Sequence, residues 1–255
     1  MELRAISGLD VSLDREALAL AFGSDVVHPD GERRRLSDVR ATLADPGACG
    51  PDHLYTIYMD VCRVQDHPAL VDQSLLYGAV VYNHGRLGRE RLRSQGHRHS
   101  RKPGTELRYS EVYEFWTGHG FVYLQKECDP VVTRAILVPV GPGDKVVVPL
   151  GWVHMTVAAL DEPLAFGAWC ARDGRLEYDE LRALGGPAHF VFADGEVAVN
   201  PRYAAVADVE VVAPGELPLL GVPADLPIYR AWQESPGLFD FLPRPDLVEQ
   251  AWAEL

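Results

Sequence analysis

Residues 96–99 read Gly-His-Arg-His, and residues 110–118 read Ser-Glu-Val-Tyr-Glu-Phe-Trp-Thr-Gly. Alternate side chains of an extended strand point to the same face, so His97 and His99 are expected to lie about two residue rises apart. Glu111 opens the second stretch, which has the β-branched and aromatic composition of a strand. This pattern predicts that the two imidazoles act together as ligands of one ion.

A third histidine, His154, follows a Pro-Leu-Gly-Trp-Val sequence further along the chain. Three imidazoles and one carboxylate form a ligand set suited to Fe²⁺, Mn²⁺, Ni²⁺ or Zn²⁺. We therefore expect one divalent ion to be bound by His97, His99, Glu111 and His154. The remaining six histidines are interpreted as structural or solvated.

Around these motifs the chain contains many short runs rich in β-branched and aromatic residues, separated by Gly, Pro and Asp. Such runs predict strands that begin near residues 54, 75, 110, 121, 132, 145, 153 and 164. Many short strands at close spacing are typical of a sandwich or a barrel. The predicted fold class is therefore all-β.

The two ends of the chain have a different texture. The first fifty residues predict a helical and loop preface, with a helix that has Ser12 as its N-cap and stops at Gly23. A second short helix is expected between Ser37 or Asp38 and Pro46. The predicted organisation is a preface over residues 1–50, a barrel over 51–203 and an extension packed on the barrel over 204–255.

Beyond the strands, a short helix is predicted from Tyr178, ended by two glycines and a proline. A hairpin over residues 190–199 is expected to turn at Asp194-Gly195. The proline-rich tail is interpreted as a strap, with a last amphipathic helix near residues 247–252.

Composition excludes several classes of function. The chain has 255 residues, and 24 Lys+Arg against 37 Asp+Glu give a net charge of −13, which argues against nucleic acid or an anionic membrane as the main partner. The four cysteines form no C-x-x-C pair, so neither a zinc ribbon nor a thioredoxin-type motif is expected. With no leader-like start and no long apolar run, the predicted location is the cytoplasm.

The ligand motifs resemble those of the cupin superfamily. His97-x-His99, followed by Glu111 with six residues before Gly118, is similar to the first cupin motif. The second motif is matched by Gly143, Pro149, Gly151 and His154. This resemblance implies an antiparallel double-stranded β-helix, a jelly-roll barrel that holds the ion in its mouth.

Three departures from the cupin motifs are present. Ala158 stands where the second motif usually ends in Asn, and Arg91 stands where the first usually opens with Gly. The stretch between His99 and Glu111 is long, which makes Glu106 a rival for the carboxylate ligand.

Within the cupins, the chain resembles the cupin-type glucose-6-phosphate isomerases of archaea and some bacteria. The matching segments occur in order over about residues 33–203. They are Arg34-Arg-Leu-Ser-Asp, Tyr55-Thr-Ile-Tyr, Gly85-Arg-Leu-Gly-Arg-Glu, Gly96-His-Arg-His, Ser110-Glu-Val-Tyr, Asp161-Glu-Pro, Asp194-Gly-Glu-Val and Asn200-Pro-Arg-Tyr. The resemblance implies a metal-dependent aldose–ketose isomerase of a phosphosugar, most simply glucose 6-phosphate to fructose 6-phosphate, in glycolysis and gluconeogenesis. It also implies a homodimer.

The resemblance assigns roles to several side chains. Ser94 and Gly96 fall on positions that contact the phosphate, and the pocket tyrosines map onto Tyr55, Tyr113 and Tyr178. Glu111 is the candidate base for the C2 proton if an enediol path is used, because a carboxylate beside a divalent ion can remove that proton. Transfer of a hydride between C1 and C2 stays open as the alternative path. Glu111 and Tyr178 are the expected catalytic residues.

Other pocket positions depart from that family. Val80 replaces a phosphate-contacting threonine, Cys170 replaces a tyrosine and Leu176 replaces a histidine. Arg91 and Arg93 stand where the family has aromatic residues. If strand alternation runs unbroken to His97, both arginines face the pocket, and one of them is expected to hold the anionic group of the substrate; a β-bulge would reverse that.

Two further interpretations stay open. One is a divergent metal-dependent cupin enzyme, such as another isomerase, an epimerase or an oxygenase of a specialised pathway. The other is a sugar-phosphate binder or dimer scaffold without catalytic activity.

Overall fold

The structure, a computed structural model, describes residues 1–252 and is built mainly from short strands. The strands are β1 (Val11–Asp14), β2 (Ala19–Phe22), β3 (Val26–Val27), β4 (Glu32–Arg35), β5 (His53–Met59), β6 (Cys62–Arg63), β7 (Leu75–Tyr82), β8 (Arg86–Leu87), β9 (Glu90–Arg91), β10 (Arg98–His99), β11 (Glu111–Thr117), β12 (Gly120–Gln125), β13 (Val131–Val132), β14 (Ala135–Val140), β15 (Lys145–Val148), β16 (Val153–Ala158), β17 (Leu164–Ala171), β18 (Leu176–Glu177), β19 (His189–Val191), β20 (Val197–Val199), β21 (Ala205–Val206) and β22 (Val209–Val211).

The helices are few and short. They are α1 (Arg4–Ser7), α2 (Leu36–Val39), α3 (His67–Asp72), α4 (Asp179–Ala183) and α5 (Ile228–Glu234). Single 3₁₀ turns span Arg40–Thr42, Pro236–Phe239, Pro245–Leu247 and Glu249–Trp252. None of the helices within residues 1–252 is long and apolar enough to cross a membrane.

Two sheets face each other to form the barrel. The larger sheet has the strand order β15-β11-β17-β7-β5-β4, and its neighbouring strands are all antiparallel. The smaller sheet has the order β16-β12-β14-β22, in which only the β14–β22 pair is parallel. This is the jelly-roll architecture of the cupins, and the predicted all-β cupin fold is confirmed.

Strands β11, β15 and β17 of the larger sheet are buried on both faces. Alternate residues of β11 illustrate this: Tyr113 and Phe115 pack inside the barrel, whereas Val112 and Trp116 pack on the outer face. Strands buried on two sides are apolar nearly throughout, and every residue of β11 and β17 is buried. The inner face is therefore available for a pocket while the outer face builds a second core.

The two ends of the chain together cover the outer face of the larger sheet. Leu9 and Val11 from the N-terminus pack in one cluster with Trp169 of β17 and with Tyr229 and Trp232 of α5. The indole of Trp169 donates a hydrogen bond of 3.2 Å to the carbonyl of Ile228. The prediction that the tail packs on the barrel is in line with this contact, and residues 1–27 and 217–252 are hereafter called the terminal cover.

The helix predicted from Ser12 to Gly23 is wrong, because this segment is the β1–β2 hairpin. The Asp14 carboxylate accepts hydrogen bonds from the backbone of Glu16 and Ala17, so it closes the turn instead of capping a helix. Val11 and Leu13 alternate with less buried neighbours, which is the strand period. Helical propensity was overridden by burial against the sheet.

The tail also differs from its prediction. Residues 245–252 form 3₁₀ turns instead of one amphipathic helix, and the longest helix of the tail, α5, was not predicted. Residues 253–255, the end of the predicted extension, lie outside the described residues.

Elsewhere the element predictions are confirmed. The eight predicted strands correspond to β5, β7, β11, β12, β14, β15, β16 and β17. The predicted helix after Tyr178 is α4, and the hairpin that turns at Asp194-Gly195 is the β19–β20 pair. The division at residues 50 and 203 stays a prediction, and β4 already belongs to the larger sheet.

Candidate active site

The four residues predicted as metal ligands lie together inside the barrel. His97 and His99 come from the segment that ends in β10, Glu111 opens β11, and His154 lies on β16. One ligand atom from each lies within 4.8 Å of all the others. The Nε2 atoms of His99 and His154 are each 3.1 Å from Oε2 of Glu111.

These spacings suit one small divalent ion. Ligands that each lie about 2.1 Å from an ion, at angles between octahedral and tetrahedral, are roughly 3.0–3.4 Å apart. The buried Nε2 of His97 has no hydrogen-bond partner within residues 1–252, so an atom that accepts its lone pair is needed. The Nδ1 of His154 lies 3.1 Å from the Trp152 carbonyl, which leaves Nε2 as the free ligand atom.

The electrostatics of the cluster act on the protonation of His97 and Glu111. Burial, and then the neighbouring His154 and His99, hold the pKa of His97 well below its ordinary value. Burial alone would raise the pKa of Glu111, but the neighbouring imidazoles of His154 and His99 outweigh it and lower the pKa. A neutral imidazole beside a carboxylate is the form that binds a metal ion.

Tyr113 fixes one oxygen of Glu111. Its hydroxyl donates a hydrogen bond of 2.8 Å to Oε2, the oxygen already close to the two imidazoles. The other oxygen, Oε1, accepts no hydrogen bond from the described residues. Glu111 is thus held by Oε2 alone, with Oε1 available on the pocket side.

A β-bulge lies immediately before the histidine pair. Arg93 is bridged to Val157 and His97 to His154, so three residues on one side oppose two on the other. Gly96 sits in the bulge at φ +83°, and a Cβ there would lie 2.9 Å from the Leu181 side chain. Only glycine adopts this conformation without strain.

This bulge contradicts the expectation that Arg91 and Arg93 face the pocket, because it reverses the parity of the strand. Neither arginine lines the cavity. The Arg91 guanidinium lies 5.5 Å from the centre of the Phe121 ring. The Arg93 guanidinium is fully buried and paired with Glu90 at 2.8 Å. Their assignment as substrate contacts is therefore wrong.

The cavity beside the cluster collects the other predicted residues. Its wall includes Tyr55, Ser94, Gly96, Tyr113 and Tyr178. The ring of Tyr178 lies 5.7 Å from that of His97, and burial raises the pKa of its hydroxyl. The three positions that depart from the family, Val80, Cys170 and Leu176, line the same cavity.

Glu106, the rival carboxylate, lies elsewhere. Its side chain is 87% exposed and pairs with Arg101 at 3.2 Å. It belongs to the loop before β11, away from the four clustered residues.

Sequence reasoning missed several cavity residues, among them Tyr82, Thr156 and Arg172. Strand alternation could have found two of them, because Tyr82 follows Val80 and Thr156 follows His154 at a spacing of two. Arg172 had no sequence signal; it is held by Asp60 in a two-pronged ion pair.

Comparison with known proteins bears on the whole barrel. A family model described as Glucose-6-phosphate isomerase (GPI) matches residues 33–208. The chain is 28% identical to the glucose-6-phosphate isomerase of Thermococcus kodakarensis over 212 residues, which covers 80% of this chain and 99% of the relative. It is 31% identical to that of Thermococcus onnurineus, covering 68% of this chain and 87% of the relative.

Solved structures that match part of the chain include Bacillus subtilis oxalate decarboxylase and hazelnut vicilin. The decarboxylase has a TM-score of 0.38 at 15% identity, covering 63% of this chain and 34% of that one. The vicilin has a TM-score of 0.37 at 15% identity, covering 51% of this chain and 33% of that one. The chain therefore spans about a third of the length of these structures.

Proposed function

Because the chain belongs to the glucose-6-phosphate isomerase family, we propose that it is a metal-dependent aldose–ketose isomerase that interconverts glucose 6-phosphate and fructose 6-phosphate. The observation that carries this proposal is the cluster of three imidazoles and one carboxylate on the wall of a buried cavity. Such an isomerase must move a hydrogen between C1 and C2 of an open-chain sugar, and the cluster lies beside the space that the sugar would fill.

In this proposal His97, His99, Glu111 and His154 hold one divalent ion, drawn from Fe²⁺, Mn²⁺, Ni²⁺ and Zn²⁺. When bound, the ion supplies Lewis-acid polarisation of the carbonyl and of the neighbouring hydroxyl. The Nε2 of His97, which has no hydrogen-bond partner within residues 1–252, and the Nδ1 of His154, which faces the Trp152 carbonyl, support the assignment.

Glu111 carries the proton between carbon atoms. Oε2 is held by Tyr113 and the imidazoles, whereas Oε1 has no partner among residues 1–252 and is positioned to accept the C2 proton. Two oxygens with separate tasks let one carboxylate act as both ligand and base. The lowered pKa of Glu111 keeps the carboxylate ionised, which is the form that a general base needs.

Tyr178 is the proposed donor to a sugar oxygen. Its hydroxyl keeps its proton because burial raises its pKa. It lines the cavity beside the cluster, next to His97. A neutral hydroxyl there can hydrogen-bond the oxygen at C1 or C2 as charge develops.

The anionic end of the sugar is placed at the bulge. Ser94 and Gly96 line the cavity there, and Tyr55 stacks on Tyr82 with ring centres 4.5 Å apart. A hydroxyl and backbone N–H groups at a glycine bulge suit an anion. With Arg91 and Arg93 turned away, no arginine fork is proposed for this end.

We also propose a cytoplasmic homodimer. The described cysteines are all unpaired, as is usual in a reducing compartment. The dimer is supported by the family resemblance; the terminal cover already occupies the outer face of the larger sheet, so pairing has to use another surface. Sedimentation that shows only monomer at micromolar concentration would refute it.

The test is an anaerobic assay of metal-reconstituted protein against a panel of aldose and ketose phosphates. We expect reversible isomerisation, with glucose 6-phosphate and fructose 6-phosphate among the best pairs. Turnover that requires O₂ would favour the oxygenase alternative. Binding without turnover under every metal would favour the non-catalytic binder, and either result overturns the proposal.

A further inference from the structure

Within residues 1–252 the guanidinium of Arg93 is the largest charged group that is fully buried, and the metal cluster does not use it. Its side chain is 0% exposed, and that of its partner Glu90 is 2% exposed. Burying an ion pair costs several kcal/mol per ion, repaid only by good geometry and further hydrogen bonds. A pair at this depth therefore needs a structural reason.

The contacts of Arg93 converge on the bulge. Nε donates to Glu90 Oε2 at 2.8 Å, and Nη1 donates to the Ser94 carbonyl at 3.0 Å. Nη2 donates to the Thr42 carbonyl at 2.5 Å. The guanidinium thus joins the first residue of the bulge to the 3₁₀ turn at residues 40–42.

Glu90 extends this link. Its second oxygen, Oε1, accepts a hydrogen bond of 2.5 Å from the backbone of Ala44. Arg93 and Glu90 therefore tie two neighbouring segments together, with both carboxylate oxygens engaged. A neutral pair of the same size could not satisfy all of these backbone groups.

The held carbonyl determines how the bulge meets the cavity. The Ser94 carbonyl is turned to the buried Arg93, and the Ser94 side chain lies on the cavity wall. Its Oγ accepts a bond of 3.3 Å from the Thr156 backbone. Gly96 follows two residues later on the same wall.

The histidines are anchored independently. His97 exchanges two backbone hydrogen bonds with His154, of 3.1 and 2.9 Å. These bonds hold the ligand pair whether or not the Ser94 carbonyl is fixed. Loss of Arg93 is therefore expected to loosen the bulge and to spare the cluster.

From this geometry we infer that Arg93, with Glu90, is a positioning residue that fixes the Ser94–Gly96 bulge as the binding surface for the anionic group of the substrate. It touches no substrate itself. The inference rests on the proposed function, and it is specific to this chain because Arg93 stands where the resembled family has an aromatic residue.

The experiment compares Arg93→Met, Arg93→Lys and the double variant Arg93→Met/Glu90→Leu with the unsubstituted protein. The double variant removes both charges, so it avoids an unpaired buried carboxylate and is expected to fold. Arg89→Met is the matched control, since Arg89 pairs with Asp194 and Glu196 on the exposed surface.

We expect the KM for fructose 6-phosphate to rise about tenfold or more in the Met variants, with kcat within about threefold and one metal per chain retained, which matches the loss of a positioned charged-group contact. Arg93→Lys should recover part of the loss, and Arg89→Met should change nothing. A well-folded double variant with an unchanged KM would overturn the inference.

A second readout does not depend on turnover. Hydrogen exchange of the backbone over residues 94–96 should be faster in the double variant, while exchange at His97 and His154 stays unchanged. If the unsubstituted protein lacks isomerase activity, the proposed function fails, and exchange alone still decides the role of Arg93. Unchanged exchange across the bulge would overturn it.

Discussion

Strand β11 carries two buried glutamates, Glu111 and Glu114, on opposite faces of one sheet. Glu111 points into the barrel, where imidazole hydrogen bonds hold its pKa below the ordinary value against the effect of burial. Glu114 points outward, where burial raises its pKa to about 7 although Lys145 lowers it. The pKa values of two glutamates on the same strand are thus shifted in opposite directions.

The difference lies in the neighbours. Glu111 meets His99, His154 and a cavity, so its charge has partners and one oxygen stays accessible. Glu114 lies 3.4 Å from the Lys145 ammonium beneath the terminal cover. Glu111 is arranged for chemistry, whereas Glu114 holds the terminal cover against the sheet.

Glu114 and Lys145 each form a hydrogen bond with the backbone of the terminal cover. Glu114 Oε1 accepts the N–H of Ile228 at 3.1 Å, and Lys145 donates to the carbonyl of Ala224 at 2.8 Å. Both partners belong to the terminal cover. The buried pair therefore acts on the strap and has no contact with the cavity.

The largest expected effect comes from breaking the inner cluster. His99→Ala and His154→Ala should each lower bound metal well below one per chain and reduce turnover roughly 1000-fold, because Lewis-acid stabilisation contributes several kcal/mol. Metal analysis by mass spectrometry and an isomerase assay check this. Full metal content in both variants would remove these residues from the ligand set.

The second-largest effect is expected from substitution of Glu111. Glu111→Gln should lower kcat about 100- to 10,000-fold, as for a lost general base, and should weaken metal binding. Glu106→Gln is the matched control and should keep both properties, since Glu106 is solvent-exposed. Loss of metal in the Glu106 variant with retention in the Glu111 variant would exchange their roles.

We expect Glu114 to make the free energy of unfolding depend on pH and to have no effect on catalysis. With a folded-state pKa of about 7 against 4.5 when unfolded, Glu114 releases its proton earlier in the unfolded chain. The free energy of unfolding should therefore fall as pH rises from 4.5 to 7, the sign required when the folded state binds more protons. Lys145 and Tyr77 are the titratable groups facing it.

Denaturant unfolding at several pH values measures this slope. Glu114→Gln should flatten the slope in that window, at the expense of a lower midpoint because Lys145 is left without its partner. Isomerase activity should be unchanged at low temperature. A slope identical in the variant would show that other groups set the pH dependence.

The smallest effect is expected from substitution of Val80, on the apolar part of the cavity wall. Val80→Thr places a hydroxyl in the cavity and should lower the KM for phosphosugars about two- to tenfold, the worth of one hydrogen bond. Val80→Ile, which adds no donor, is the control. Equal KM values in both variants would show that the substrate does not reach this wall.

Much of the site is predictable from the sequence because its constraints are local. Strand alternation and the spacing of the two motifs are enough to group His97, His99, Glu111 and His154 in one region, and strand context favours Glu111 over Glu106. The main barrel strands can also be predicted from the sequence, since they are largely buried and rich in β-branched and aromatic residues.

Other features cannot be predicted from the sequence because they depend on partners that are distant along the chain. The bulge at Gly96 is fixed by Arg93 reaching Thr42, fifty-one residues away in sequence, and alternation alone turns both arginines to the wrong side. The β1–β2 hairpin likewise takes its form from the sheet it covers, which local propensity does not contain.

The most direct test of the central claim is a metal titration of chelator-treated protein, followed by initial rates with fructose 6-phosphate under anaerobic conditions. The account predicts negligible turnover without metal and a linear rise that breaks at one equivalent of Mn²⁺ or Fe²⁺ per chain, absent in His154→Ala. Full turnover in the metal-free protein, or the same titration curve in His154→Ala, would contradict it.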